Sequence, residues 1–183
     1  MKKIRNILVF AAVLLSISAV GASAQNDEFR GQNNRNIERQ IFKKILAQPN
    51  YGVFDHITFS FDNGTVVLGG KVNSLGTRNG AASAVKRIAG VKEVVNNIDQ
   101  LPASPFDSRI RRSALRTFTS RGPSRYFSEV NPEVRIIVEN GRMTLEGYVS
   151  NKGDRNLLNV LANSIPGVFK VTNNLVIGKE RFS

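Results

Sequence analysis

Apolar residues recur along this chain with two periods, and the periods alternate in a fixed order. Ile37, Ile41 and Ile45, with Phe42 and Leu46 beside them, stand at i, i+4, i+8 and predict one face of a helix that starts near Arg35 and ends near Pro49-Asn50. Ile57, Phe59 and Phe61 then alternate with Thr58 and Ser60, the period of a half-buried strand. Asp62-Asn63-Gly64 predicts a tight turn, because Asn and Gly tolerate the positive φ of a two-residue hairpin. Val66, Leu68, Gly70 and Val72 return on the same alternation. Ala81, Ala84, Val85 and Ile88 stripe a second helix beginning near Thr77, Gly90 stops it, and Val91 to Leu101 supplies a third strand.

The same order then repeats. Asn63-Gly64, Leu68, Gly70, Val72, Gly76, Arg78-Asn79, Ile88, Gly90-Val91, Val94 and Asn96-Asn97 recur 77 positions later as Asn140-Gly141, Leu145, Gly147, Val149, Gly153, Arg155-Asn156, Ile165, Gly167-Val168, Val171 and Asn173-Asn174. These are 14 identities over residues 63–98 without a gap, against roughly 2 expected by chance, so the chain is a tandem duplication. The second copy runs as helix Ser108–Ser120, strand Val134–Val138, turn Asn140-Gly141, strand Met143–Val149, helix Asp154–Ile165 and strand Phe169–Ile177. The fold class is therefore α+β: two tandem αββαβ domains, each a three-stranded mixed sheet covered on one face by two helices. Residues 35–101 form the first domain, 102–106 a linker short enough to hold the copies in contact, 107–178 the second domain and 179–183 a tail.

What precedes the repeats changes the compartment. Lys2, Lys3 and Arg5 lead into an apolar run from Ile7 to Val20 that closes on Ala22-Ser23-Ala24, which reads as a signal peptide cleaved after Ala24. The competing reading, a retained membrane anchor, is weaker, because the run of about 14 residues falls short of the roughly 20 needed to span a bilayer. Residues 25–34 are polar, lack periodicity and read as a flexible lead-in. The expected product is periplasmic. With 26 Lys and Arg against 14 Asp and Glu the formal charge is +12, and removal of three signal-peptide cations leaves it strongly basic. In an exported protein that surplus points to anionic phospholipid surfaces or acidic envelope partners rather than to nucleic acid. There is no cysteine, hence no disulfide and no lipid-modified N-terminus.

The run Val66-Val67-Leu68-Gly69-Gly70-Lys71-Val72, followed after a helix by Gly90-Val91-Lys92-Glu93-Val94-Val95-Asn96, and its counterpart Met143 to Val149 followed by Gly167 to Asn173, resembles the BON domain of bacterial osmotic-shock and outer-membrane maintenance proteins. The resemblance covers both repeats. It implies an αββαβ fold, an envelope location, a role at phospholipid membranes, a link to osmotic stress and no catalytic activity.

The side chains agree with a chain that is not an enzyme. Its one histidine, His56, stands just before the first strand with Glu133 at the equivalent position, and reads as a turn residue without a ligand role. No nucleophile, phosphate-loop or metal-ligand spacing is present, so neither a cofactor nor a metal is expected. Gly64, Gly70, Gly90, Gly141, Gly147 and Gly167 are read as structural, as are Asn96 and Asn173, whose amides are expected to satisfy backbone groups near the hairpin. Arg78 and Arg155 fall in the first turn of the second helix of each copy, where the helix dipole disfavours a cation, and are candidate phosphate-binding residues, with a packed or carboxylate-paired arginine as the simpler reading.

The densest charge lies on the first helix of the second repeat. Arg109, Arg112 and Arg116 fall within about 60° of one another on a helical wheel, opposite Ile110, Ala114 and Phe118. Arg111 lies off this stripe, Arg121 and Arg125 extend the basic region, and no acid occurs from Ser108 through Phe127. These arginines are the candidate lipid-binding residues, with Tyr126, Phe127 and Tyr148 as candidates for insertion. The leading reading is a non-enzymatic envelope-maintenance protein that binds anionic phospholipid surfaces; the alternative is a soluble chaperone-like or protein-interaction module.

Overall fold

The structure is a computed structural model that describes residues 18–179, with side chains from Arg30 onward. From Ile37 on, the chain forms one compact unit, separate from a unit ending at Asn36. The first helix, α1, spans Ser18–Leu46. It therefore begins well before Arg35, and residues 25–34, expected to lack regular structure, are helical. The reason is local: no proline interrupts residues 25–48, and propagation from the helix beside it outweighs the cost of the single glycine, Gly31. Residues 1–17 of the expected signal peptide, and residues 180–183 of the tail, lie outside the described residues.

The first repeat continues with β1 (His56–Asp62), β2 (Thr65–Val72), α2 (Leu75–Lys86), β3 (Glu93–Asn96) and β4 (Asp99–Gln100). β1 pairs antiparallel with β2 across the Asn63-Gly64 turn, where both residues take positive φ, and β2 pairs in parallel with β3 and then β4. The second repeat follows the same plan: α3 (Pro105–Arg121), a 3-10 turn at Ser124–Tyr126, β5 (Val134–Glu139), β6 (Arg142–Val149), α4 (Lys152–Asn163), β7 (Lys170–Asn173) and β8 (Val176–Ile177). Its β5 and β6 are antiparallel, and β6 is parallel to β7 and β8. Two αββαβ domains with mixed sheets result, each sheet covered by two helices.

The single third strand expected in each copy is split in two, and the shared asparagine is what splits it. Asn96 Oδ1 accepts from the Ile98 amide while its Nδ2 donates to the Arg78 carbonyl; Asn173 does the same with Leu175 and Arg155. These amides thus tie a strand break to the first turn of the covering helix, not to the hairpin. The break lets Ile98 and Leu175 turn into the cores, where they are 1% and 3% exposed.

Each repeat has its own core. Ile37, Ile41 and Ile45 meet Val66, Leu68, Val72, Val85 and Ile88 in the first, while Ile110, Ala114 and Phe118 meet Ile136, Leu145, Leu158 and Ile165 in the second. The loop before β1 carries the first repeat onto the second core, against which Val53 and Phe54 pack. This contact explains β5, whose residues from Val134 to Val138 are all buried although the strand lies at a sheet edge. The Ile136 amide, at that edge, donates 2.7 Å to the Val53 carbonyl. An edge that would otherwise invite pairing is thus closed by the first repeat.

Candidate functional site

α3 is the element that organises both the junction between repeats and the outer basic surface. Ser104 caps it by accepting from the Asp107 amide, and Pro105 opens its first turn with a pre-set φ. Asp107, fully buried, accepts from the amides of Asn140 and Gly141 at 2.9 and 2.8 Å, so the start of α3 holds the tip of the β5–β6 hairpin. Ile110, Ala114 and Phe118 face the core.

Arg111, off the outer stripe as its phase predicted, points into the junction. It is 4% exposed, donates 2.6 Å to the Val138 carbonyl and 3.2 Å to Asn73 Oδ1 of the first repeat. Asp55, 3% exposed, accepts from the amides of Asn73 and Gly52, and Arg135 donates to the Gly52 carbonyl while lying 4.6 Å over the Tyr51 ring. Burial pushes the Asp55 carboxyl up, and the two amides, then Arg135 and Arg111, pull it back. Burial also lowers Arg111, opposed by Asp107, Asp55 and Glu139. Lys71 pairs with Glu139 at the margin of this junction.

His56 proves to be the first residue of β1, not a turn residue, and borders a cavity of about 350 Å³ between the repeats, together with Tyr51, Phe59, Arg135, Glu146 and Tyr148. Burial lowers its imidazole below the ordinary 6.5; Glu146 opposes this and Arg135 adds to it. The unfolded chain therefore binds the proton first, so this stabilisation is present above about pH 6.5 and is lost as pH falls through that value toward the folded one. Between about pH 7.5 and 5.5 the wild type is expected to lose more melting temperature than His56→Gln; equal losses would remove His56 from the account.

On the outer side, Arg109, Arg112 and Arg116 are exposed and line one groove with Phe106, Pro166 and Gly167. Phe106 stacks on Phe169 at 6.2 Å between ring centroids, and the two rings are 39% and 78% exposed. Phe106 covers Gly167 and Phe169 covers Gly141, so the aromatic pair sits on two of the shared glycines. Neither phenylalanine was singled out from the sequence, yet a signal existed: the position of Phe169 in the first copy is Lys92, a residue that belongs at a surface.

Other candidates are placed differently. Tyr126 and Phe127, expected to insert, are 1% and 7% exposed; Phe127 stacks on Phe118, and Tyr126 donates to Asp154 and accepts from the Ser150 amide. Tyr148 is half-buried at the cavity between repeats. Arg125 pairs with Asp154 and lies over the Tyr126 ring, while Arg121 is exposed at the end of α3. An acid far away in sequence thus meets the acid-free stretch. Arg78 Nε donates 2.7 Å to the Ile98 carbonyl and Arg155 donates 3.5 Å to that of Asn173. Both arginines reach the strand break of their own repeat, which accords with the packed role. Among the described residues no three His, Cys, Asp or Glu side chains gather as a metal site, and no helix is long and apolar enough to cross a membrane.

The C-terminal domain of CdsD, a structural protein of the type III secretion system of Chlamydia trachomatis, is similar at 16% identity, covering 74% of this chain and 96% of that one with a TM-score of 0.30. A second structure of CdsD matches at 16% identity over 77% of this chain and 93% of that one, with a TM-score of 0.31. Comparison with curated proteins gave no match. The BON domain family matches residues 33–102 and again 125–179. Proteins of this family are typically periplasmic and the family is generally linked to membrane association. With both repeats matched and two αββαβ units in the fold, the chain belongs to the BON domain family.

Proposed function

We propose that this protein is a non-enzymatic periplasmic component of the cell envelope that attaches peripherally to anionic phospholipid surfaces through its second repeat. The observation that carries this reading is the outer face of α3: Arg109, Arg112 and Arg116 stand exposed along one groove, outside any ion pair among the described residues, beside the stacked Phe106 and Phe169. Arginines near a negative surface contribute roughly 1 kcal/mol each, and exposed phenylalanine rings beside them supply apolar area to bury at the headgroup and acyl boundary. Arg121 extends the face, and Arg125, held by Asp154, contributes less.

Changing Arg109, Arg112 and Arg116 together to glutamine should leave the fold intact, because the stripe lies opposite the buried face. It should remove about 3 kcal/mol of attraction, more than a hundredfold in affinity for anionic vesicles at low salt. Flotation with anionic and zwitterionic vesicles measures this. If the triple variant floats as well as wild type, the stripe is a solvated helix face, and binding to unfolded envelope proteins would then favour the chaperone-like alternative.

A further inference from the structure

On the outer face of the second sheet, two neighbouring rungs set a pair of cations beside a pair of hydroxyls. Arg142 on β6 lies directly opposite Lys170 on β7, and Thr144 lies opposite Thr172 on the next rung of the same face. Met143 and Leu145, which alternate with them along β6, point into the core and are fully buried. Like charges facing each other across a ladder are unfavourable. The acid lining this cleft, Glu139, is the β5 partner of Arg142, but its carboxylate is taken by Lys71 of the first repeat. Among the described residues neither Arg142 nor Lys170 forms an ion pair. The four side chains, with Asn140 and the Lys71–Glu139 pair, enclose a surface cleft of about 420 Å³.

The first repeat supplies the control. Its equivalent rungs are Thr65 opposite Glu93 and Val67 opposite Val95, so the same backbone carries a neutral or acidic and an apolar pair. The cations and hydroxyls are therefore not demanded by the fold. We infer that Arg142, Lys170, Thr144 and Thr172 form an oxyanion site for a phosphate monoester. With Lys71 and Glu139 cancelling, two positive charges remain, which match the dianion of a monoester near neutral pH better than the single charge of a diester. Arginine presents its planar fork, lysine a point charge, and each hydroxyl a further donor. The cleft has room for a sugar-sized group beyond the phosphate. The monoester is carried either by a soluble sugar phosphate or by a lipid headgroup. The site lies on the sheet face and stands or falls separately from the α3 stripe.

The full chain, isotope-labelled, would be titrated near pH 7.5 with glucose 1-phosphate and, at matched ionic strength, with sodium chloride plus glucose. Saturable shifts at the Thr144 and Thr172 amides with the ester alone are expected. Writing the first repeat's residues into the second, Arg142→Thr, Thr144→Val, Lys170→Glu and Thr172→Val, should weaken binding at least about tenfold with the fold retained, while the triple α3 variant keeps it. Arg142→Gln with Lys170→Gln is the milder second variant. Vesicles containing phosphatidic acid, compared with phosphatidylglycerol vesicles of equal surface charge, give the other arm: a preference for the monoester that the quadruple variant lacks places the ligand on a lipid. Saturation by the sugar phosphate without such a preference places it in solution. Absence of both, or binding unchanged in both rung variants, overturns the site.

Discussion

Gly147→Val is expected to unfold the second repeat under conditions where the wild type is fully native. Gly147 sits inside β6 with φ +114, a region that a β-branched residue adopts only under strain, and its added Cβ would collide with the Glu133 carbonyl just before β5. Backbone cannot yield as a flexible side chain would, because Glu133 is held there by the Tyr148 amide, 3.0 Å from its oxygen. Conformational strain and overpacking together should cost about 4 kcal/mol, a large share of the stability of a small domain. Urea unfolding followed by circular dichroism measures the loss. Gly70, with φ +102 and the His56 carbonyl at the same relation, should respond likewise in the first repeat. An unchanged midpoint in Gly147→Val would contradict this packing.

Arg111→Ala should cost about 3 kcal/mol, because it removes one partner from a buried charge network and leaves the rest uncompensated. The guanidinium satisfies the Val138 carbonyl and Asn73 at once, and it faces the carboxylates of Asp55, Asp107 and Glu139. Its Nε is already buried without a partner, so part of the desolvation of this group is never recovered. Arg111→Lys should rescue little, since an ammonium cannot reach both acceptors as a fork does. Pairing Arg111→Ala with Asp55→Asn tests the coupling: the double variant should cost clearly less than the sum of the single ones. Strict additivity would mean that Arg111 and Asp55 act independently and do not form one charge network.

Which parts of this protein were legible in its sequence follows from the range of the interactions involved. Hydrophobic period, the Asn-Gly turns and the repeated glycines are local signals, and they gave element order, both hairpins and the αββαβ class. The duplication strengthened them by presenting each element twice. α1 was misread at its start because polar residues carry no period, so helix and lead-in look alike there. The third strand of each copy was read as continuous because its break depends on Asn96 and Asn173 reaching a helix 18 residues away.

The site divides along the same line. Placing Arg109, Arg112 and Arg116 on one outer face needed only helical phase, a property of the sequence, as did setting Arg111 apart from them. That Arg111 enters a junction with Asn73, that Tyr126 and Phe127 close the second core, that Phe106 and Phe169 meet in the open, and that Arg142 faces Lys170 required the tertiary fold. The pairs stand 24 positions apart for Tyr126 and Ser150, 28 for Arg142 and Lys170, 38 for Arg111 and Asn73 and 63 for Phe106 and Phe169, and they are brought together by sheet pairing and by the packing of elements on one another. Periodicity says which way a side chain leaves its own element. What it meets there is decided only when the elements have packed.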